Sequence, residues 1–164
     1  MKGRPEMSER LLIMRHGEAG PGSPDAAREL TARGQGEVER MANRLAGRDD
    51  LDGLRLVASP YVRAQQTAEA VAAALDIAHE RLPIVTPDDP PEAVVDWLLE
   101  RTGQGPVMLV SHMPLVGALT GLLVEGRAER GLGFPTAAVA ELEADVWAAG
   151  CARLLHFTAP ADLV

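Results

Sequence analysis

The stretch Leu11-Leu12-Ile13-Met14-Arg15-His16-Gly17-Glu18 decides the fold. Its four apolar residues show no polar alternation, which suits a strand buried on both faces, as in the middle of a parallel sheet. The run ends at a guanidinium, an imidazole and a glycine, so reactive groups stand at the carboxyl end of that strand. The same arrangement recurs twice downstream. Residues 54–58 read as a strand leading into Ser59-Pro60, which predicts Ser59 as a helix N-cap with proline at the first helical position. The helix after it repeats Ala64, Ala68, Val71 and Leu75 on one face. Val107-Met108-Leu109-Val110 is another fully apolar run; it ends in Ser111-His112, and Pro114 opens an apolar helix through Leu123.

The intervening segments complete an alternation of strands and helices. Thr31 is placed to cap a helix in which Val38, Met41, Ala42 and Leu45 recur at helical spacing. Residues 81–85 read as a strand and 87–91 as a loop. Residues 92–101 form an amphipathic helix with Val94, Trp97 and Leu98 on one face. Two strands near 137–142 and 151–157 have no helix between them and are expected to pair as an antiparallel edge. This pattern predicts an α/β fold, a three-layer α/β/α sandwich with a largely parallel central sheet. At 164 residues the chain has the usual size of a single domain. That domain is expected over residues 10–160, behind a polar tail at 1–9.

Composition narrows the function. A net charge of −8 and only 3% aromatic residues argue against nucleic-acid binding, which needs a basic footprint or stacking platforms. The first ten residues lack the apolar core of a signal peptide, and no run approaches the roughly 20 apolar residues of a membrane span. A cytoplasmic protein without membrane contact is expected. The single Cys151 has no partner for a disulfide and no companion for a metal site. Lying in a run that reads as a strand, it is expected to be a buried, inert thiol. His79, His156 and the Asp49-Asp50-Asp52 group match no chemical pattern and read as structural or solvated.

Ligands of open α/β sheets bind beyond the carboxyl ends of the strands. That edge collects Arg15, His16, Gly17 and Glu18 from one strand, Ser59 and Arg63 from the second, and His112 from a third. Arginine binds phosphate through paired donors and keeps its charge. Helix N-termini add unpaired N–H groups, and a neutral imidazole can attack phosphorus. Gly17 is expected to turn with positive φ and leave the His16 ring accessible. These parts together describe a phosphoryl-transfer pocket.

Arg15-His16-Gly17-Glu18, Leu30-Thr31 with Gly34, Ser59-Pro60 with residues 63–68, and His112 resemble the histidine phosphatase superfamily, whose fold is phosphoglycerate-mutase-like. Residues 111–117 and 134–140 narrow the resemblance to SixA-type phosphohistidine phosphatases. The resemblance spans most of the chain, from about Leu11 to Phe157. It implies that His16 takes the phosphoryl group, that Arg15, Arg63 and His112 bind its oxygens with Gly17 and Ser59 nearby, and that water releases inorganic phosphate. No metal or organic cofactor is implied. The implied substrate is a phosphohistidine-bearing protein, such as a histidine phosphotransfer domain.

The proton donor is open. Glu18 is one candidate, to assist water or the leaving nitrogen; Asp88, Asp89 and Glu92 are others. An alkoxide leaving group needs such an acid more than an imidazole does. Two rival functions follow: a broad small-molecule phosphomonoesterase, and a catalytically idle phosphate-binding regulatory module. The short segment between Leu75 and Pro106 leaves little room for a cap, which favours a protein substrate. A neutral His16 beside a protonated His112 predicts a bell-shaped pH profile around neutrality.

Overall fold

The computed structural model describes residues 8–163. Most of the predicted polar tail, 1–7, lies outside the described residues, and Glu9 already belongs to the first strand. Six strands form one sheet: β1 (Glu9–Arg15), β2 (Arg55–Ala58), β3 (His79–Arg81), β4 (Val107–Ser111), β5 (Val139–Ala144) and β6 (Arg153–Thr158). Their order is β3-β2-β4-β1-β5-β6. The β3, β2, β4 and β1 strands run parallel, while β5 and β6 continue antiparallel, as their missing crossover helix predicts. Four helices cover the sheet: α1 (Ala32–Leu45), α2 (Val62–Leu75), α3 (Pro91–Leu99) and α4 (Leu115–Glu125).

The apolar strands explain the three layers. Side chains alternate across a strand, so Leu12 and Met14 face α1 and α2, packing with Val38, Met41, Ala64, Ala68 and Val71. Leu11 and Ile13 face the other way and pack with Val94, Leu98, Leu115, Leu119 and Leu123 of α3 and α4. Met108 and Val110 join the first layer, while Val107 and Leu109 join the second. Central strands buried on both faces have no reason to alternate in polarity, and these do not.

Several local expectations shift. The third strand occupies 79–81 rather than 81–85, because β2 is short and its register ends at Ala58 opposite Arg81. Leu82 and Val85 then turn inward to the core, and Pro83 has no N–H to extend the ladder. The helix after Ser59 starts at Val62, with Tyr61 at the N-cap and no side-chain cap. Ser59 is therefore not the cap; its hydroxyl accepts the Tyr61 N–H at 3.2 Å. Cys151 is exposed, because β6 begins only at Arg153. Asp50 pairs with Arg48 and Arg10 beside the buried Glu141 instead of standing alone in solvent. No helix among the described residues is long and apolar enough to cross a membrane.

Gly17 also differs in its reason. Its φ is not in the left-handed region, since the positive-φ glycines are Gly22, Gly47, Gly53, Gly103, Gly105, Gly126 and Gly150. It is needed for close approach. A Cβ there would lie 2.7 Å from the Gly34 carbonyl oxygen and 2.7 Å from a methyl of Val38. Gly34 answers it from α1, where a Cβ would overlap the Glu18 carbonyl and lie 2.8 Å from the Glu18 nitrogen. Helix propensity alone would make Gly34→Ala stabilising by up to about 1 kcal/mol. The backbone overlap outweighs it, at about 1–3 kcal/mol. Thermal unfolding should show a lowered Tm for Gly34→Ala, at roughly 2–4 °C per kcal/mol; a raised Tm would contradict this packing.

Candidate active site

Register brings the reactive residues level. In the sheet β2, β4 and β1 are neighbours, with Ala58 opposite Val110 and Arg15 opposite Ser111. The residues that follow each strand, Ser59, His112 and His16, therefore emerge side by side at one edge. The His16 N–H donates to the Ser111 carbonyl at 3.0 Å, and the His16 carbonyl accepts from Ala137 at 2.9 Å, which fixes the backbone of the nucleophile candidate on both sides. His16 is 7% exposed, Arg63 5% and His112 1%.

The His16 ring is oriented by its neighbour. Nδ1 lies 2.7 Å from the Gly17 carbonyl oxygen. A carbonyl only accepts, so Nδ1 carries the proton and Nε2 keeps its lone pair. Nε2 faces the Arg63 Nε–H at 3.3 Å. The His112 ring meets His16 edge-on, with centroids 5.0 Å apart at 61°. Its Nε2 is 2.8 Å from the Ser59 hydroxyl. Arg15 donates through Nη1 to the Phe134 carbonyl at 2.7 Å.

Two buried polar atoms at this edge lack a protein partner among the described residues: Arg15 Nε and His112 Nδ1. An unsatisfied buried polar group costs about 1–3 kcal/mol, and an oxyanion with several acceptor oxygens could satisfy both. The sequence-predicted Arg15, His16, Gly17, Ser59, Arg63 and His112 thus come together. Glu18 sits beside them, but its carboxylate accepts the Thr31 hydroxyl at 2.7 Å, at the N-terminus of α1. Asp89 is engaged in its own turn, accepting from the backbone and hydroxyl of Thr86 at 2.7 Å each. Among the described residues, no hydrogen bond joins Asp88, Asp89 or Glu92 to the site.

Four further residues shape the edge; of these, Thr67 entered the sequence analysis only within the 63–68 block, and the others carried no assigned role. Thr67 donates to the Arg63 carbonyl at 2.8 Å and accepts the Gly17 N–H at 3.2 Å, tying α2 to the loop after β1. Glu37, buried on α1, accepts the Glu18 N–H at 3.0 Å and the Thr136 hydroxyl at 2.9 Å. Its signal was available: it lies four residues before Met41, on the buried stripe, where a carboxylate needs partners. Tyr61 stands 5.0 Å from the His112 ring and 5.1 Å from the Arg63 guanidinium. Asp25, in a segment that reads only as loop, takes the outer face of Arg63: its carbonyl accepts Nη1 at 2.8 Å and its carboxylate Nη2 at 3.1 Å.

Burial pushes the His16 imidazole down to about 4, against a raising contact from the Gly17 carbonyl and with further lowering by Arg63, Arg15 and Arg28. Burial pushes His112 down to about 3, aided by His16 and Arg63. Arg15 is also lowered, first by burial and then by Arg63. Against the expected protonated His112, burial, His16 and two nearby arginines disfavour a further cation on this ring. Both rings are neutral at pH 7, and each gains a proton only as the pH falls through its lowered pKa. A ring-resolved NMR titration should put His16 near 4 and His112 near 3; a midpoint above 6 for either would contradict this field.

Comparison with known proteins shows the family. Residues 11–86 match the family model for the histidine phosphatase superfamily (branch 1). The chain is 37% identical over 140 residues to phosphohistidine phosphatase SixA of Escherichia coli (strain K12), covering 82% of this chain and 85% of that protein. It is 36% identical over 145 residues to the phosphohistidine phosphatase SixA homolog of Haemophilus influenzae, covering 80% and 86%. The solved structure of the protein histidine phosphatase SixA complexed with tungstate superposes with a TM-score of 0.82 at 32% identity, covering 94% of this chain and 99% of that one. Mycobacterial glucosyl-3-phosphoglycerate phosphatase shares the fold, with a TM-score of 0.68 at 17% identity over 90% of this chain and 97% of that one. The chain belongs to the histidine phosphatase superfamily, among its SixA-type phosphohistidine phosphatases.

Proposed function

We propose that this phosphatase removes phosphate from a phosphohistidine carried by another protein, through a phosphoryl group held transiently on His16. The observation that carries the reading is the pinned His16 ring, with Nδ1 bonded to the Gly17 carbonyl and Nε2 directed at Arg63. In the first step the Nε2 lone pair attacks phosphorus. The P–N bond to the substrate imidazole breaks, and its electron pair stays on the leaving nitrogen, which takes a proton from solvent. In the second step water attacks phosphorus, the bond to Nε2 breaks, and inorganic phosphate departs. Arg15, Arg63 and His112 surround the oxygens on which charge is spread in both steps.

A neutral His112 serves as a hydrogen-bond donor, and incoming phosphoryl charge favours its protonation. Exchange of one P–N bond for another asks less of a general acid than ester cleavage does. This fits a site in which Glu18 is committed to Thr31. A small-ester phosphatase would need an acid at the pocket, and Asp89 is committed to Thr86. Residues 76–105 supply β3 and α3, and Leu82, Val85, Val94, Val95 and Leu98 among them are spent in the core. A side chain projecting from a protein surface therefore has no separate cap domain to displace. A bacterial phosphorelay protein of the histidine phosphotransfer type is the partner that fits. The exposed, unpaired Cys151 suits the reducing cytoplasm.

The test compares phosphate release from a phosphohistidine protein with release from a panel of small phosphomonoesters. The protein should be turned over faster, and His16→Ala should lower both rates by at least 10³-fold, as loss of a nucleophile does. Preference for a small ester would support the phosphomonoesterase instead, and turnover surviving in His16→Ala would exclude the covalent route. The free-enzyme profile of kcat/KM should stay level from neutrality down to about pH 5 and fall only near pH 4, as His16 takes up its proton. An acid limb near 6.5 would contradict a neutral, buried His16.

A further inference from the structure

The ion pair between Asp25 and Arg63 places a negative charge on the solvent side of the candidate phosphate site. Arg63 is buried, with 6% of its side chain exposed, whereas the Asp25 side chain is 57% exposed. The carboxylate thus stands on the solvent side of the guanidinium, and His16 Nε2 stands on the protein side at 3.3 Å. A phosphoryl group reaching Nε2 through Arg63 must come beside that carboxylate. We propose that Asp25 is a specificity-determining residue: it competes with free phosphate and small phosphate esters for Arg63, and reserves the pocket for phosphoryl groups delivered by a docked protein. The inference rests on the protein-phosphohistidine reading above and goes beyond it, by naming what keeps small anions out.

Three observations favour competition over mere positioning. Arg63 is held without the carboxylate, by the Asp25 main-chain carbonyl at 2.8 Å, by His16 and by the Tyr61 ring at 5.1 Å. The carboxylate itself is fixed in place from outside. Arg28 donates to its second oxygen at 2.9 Å and to the Gly20 carbonyl at 2.7 Å. The loop is closed at its base by the Ala19–Leu30 bridge and a 2.9 Å bond from Gly20 to Glu29. Arg28 and Arg63 also hold the Asp25 carboxyl below its ordinary range, so it stays charged. A carboxylate held by two arginines in this position opposes an incoming anion. A small anion has only the pocket to bind it. A protein substrate adds contacts outside the pocket, and that remote binding energy offsets the repulsion.

The experiment measures tungstate and inorganic phosphate affinity by calorimetry for wild type, Asp25→Asn and Asp52→Asn, the last controlling for net charge alone. Asparagine keeps the shape and an acceptor for Arg63 but removes the charge. Asp25→Asn should tighten both anions about five- to tenfold, in keeping with like charges a few ångströms apart in screened surroundings. Asp52→Asn should leave them unchanged. In parallel, kcat/KM for a small aryl phosphate should rise in Asp25→Asn by more than kcat/KM for the phosphohistidine protein. Unchanged or weaker anion binding would overturn the proposal and reduce Asp25 to a positioner of Arg63, as would an unchanged ratio between the two substrates. Failure of wild type to turn over the phosphohistidine protein, with the anion shift intact, would instead sink the substrate reading and leave the competition standing. Failure of tungstate to bind any form would overturn both.

Discussion

The hydrogen bond from His16 Nδ1 to the Gly17 carbonyl, at 2.7 Å, is the contact on which the remainder of the site depends. It selects one tautomer and one ring orientation, and so decides which nitrogen can act. The carbonyl is in turn aimed by the path of the loop around it. Gly17 has no Cβ to block Gly34 and Val38, its N–H is held by Thr67, and the next N–H is held by Glu37. Thr31 caps α1 by accepting the Gly34 N–H at 3.0 Å while binding the Glu18 carboxylate. The N-terminal turn of α1 and the loop after β1 thus form one packed unit. A side chain at either glycine would push the carbonyl off its bearing before it touched the imidazole.

Around this ring the pocket balances cations against burial. On the proposed reading Arg15 and Arg63 attract the phosphoryl group, and the same charges, together with desolvation, hold the His16 and His112 pKa values down. A protonated imidazole has no lone pair to attack with, so in the proposed mechanism the field that attracts substrate also keeps His16 competent. Glu37, buried on α1, braces the Glu18 and Thr136 loops. The ring of His112 is held between Ser59, Tyr61 and His16, and its Nδ1 has no partner among the described residues.

The strands and their reactive ends were legible because each rests on a strong local signal. Double-sided burial demands uninterrupted apolar runs, and residues 11–14 and 107–110 have them. Parallel neighbours then bring their carboxyl ends together without further information. Ser59 was misread for a physical reason: Ser-Pro is a sound cap signal, yet here the hydroxyl is drawn to Tyr61 and His112, and the helix starts later. The left-handed turn assigned to Gly17 failed similarly, because glycine answers both to φ and to crowding, and only packing tells which. Asp25 and Thr67 owe their places to contacts 38 and 50 residues away along the chain. No periodicity within one element encodes such a pairing.

The most direct test of the account is the position of phosphate on the trapped enzyme. Rapid quenching into alkali during turnover of a phosphohistidine protein, followed by 31P NMR of the His16 peptide, distinguishes the two ring isomers. The pinned ring predicts phosphate on Nε2, with none on Nδ1. Phosphate on Nδ1 would mean that the bond to Gly17 does not set the chemistry, and a quenched enzyme carrying no phosphate at all would contradict the covalent mechanism.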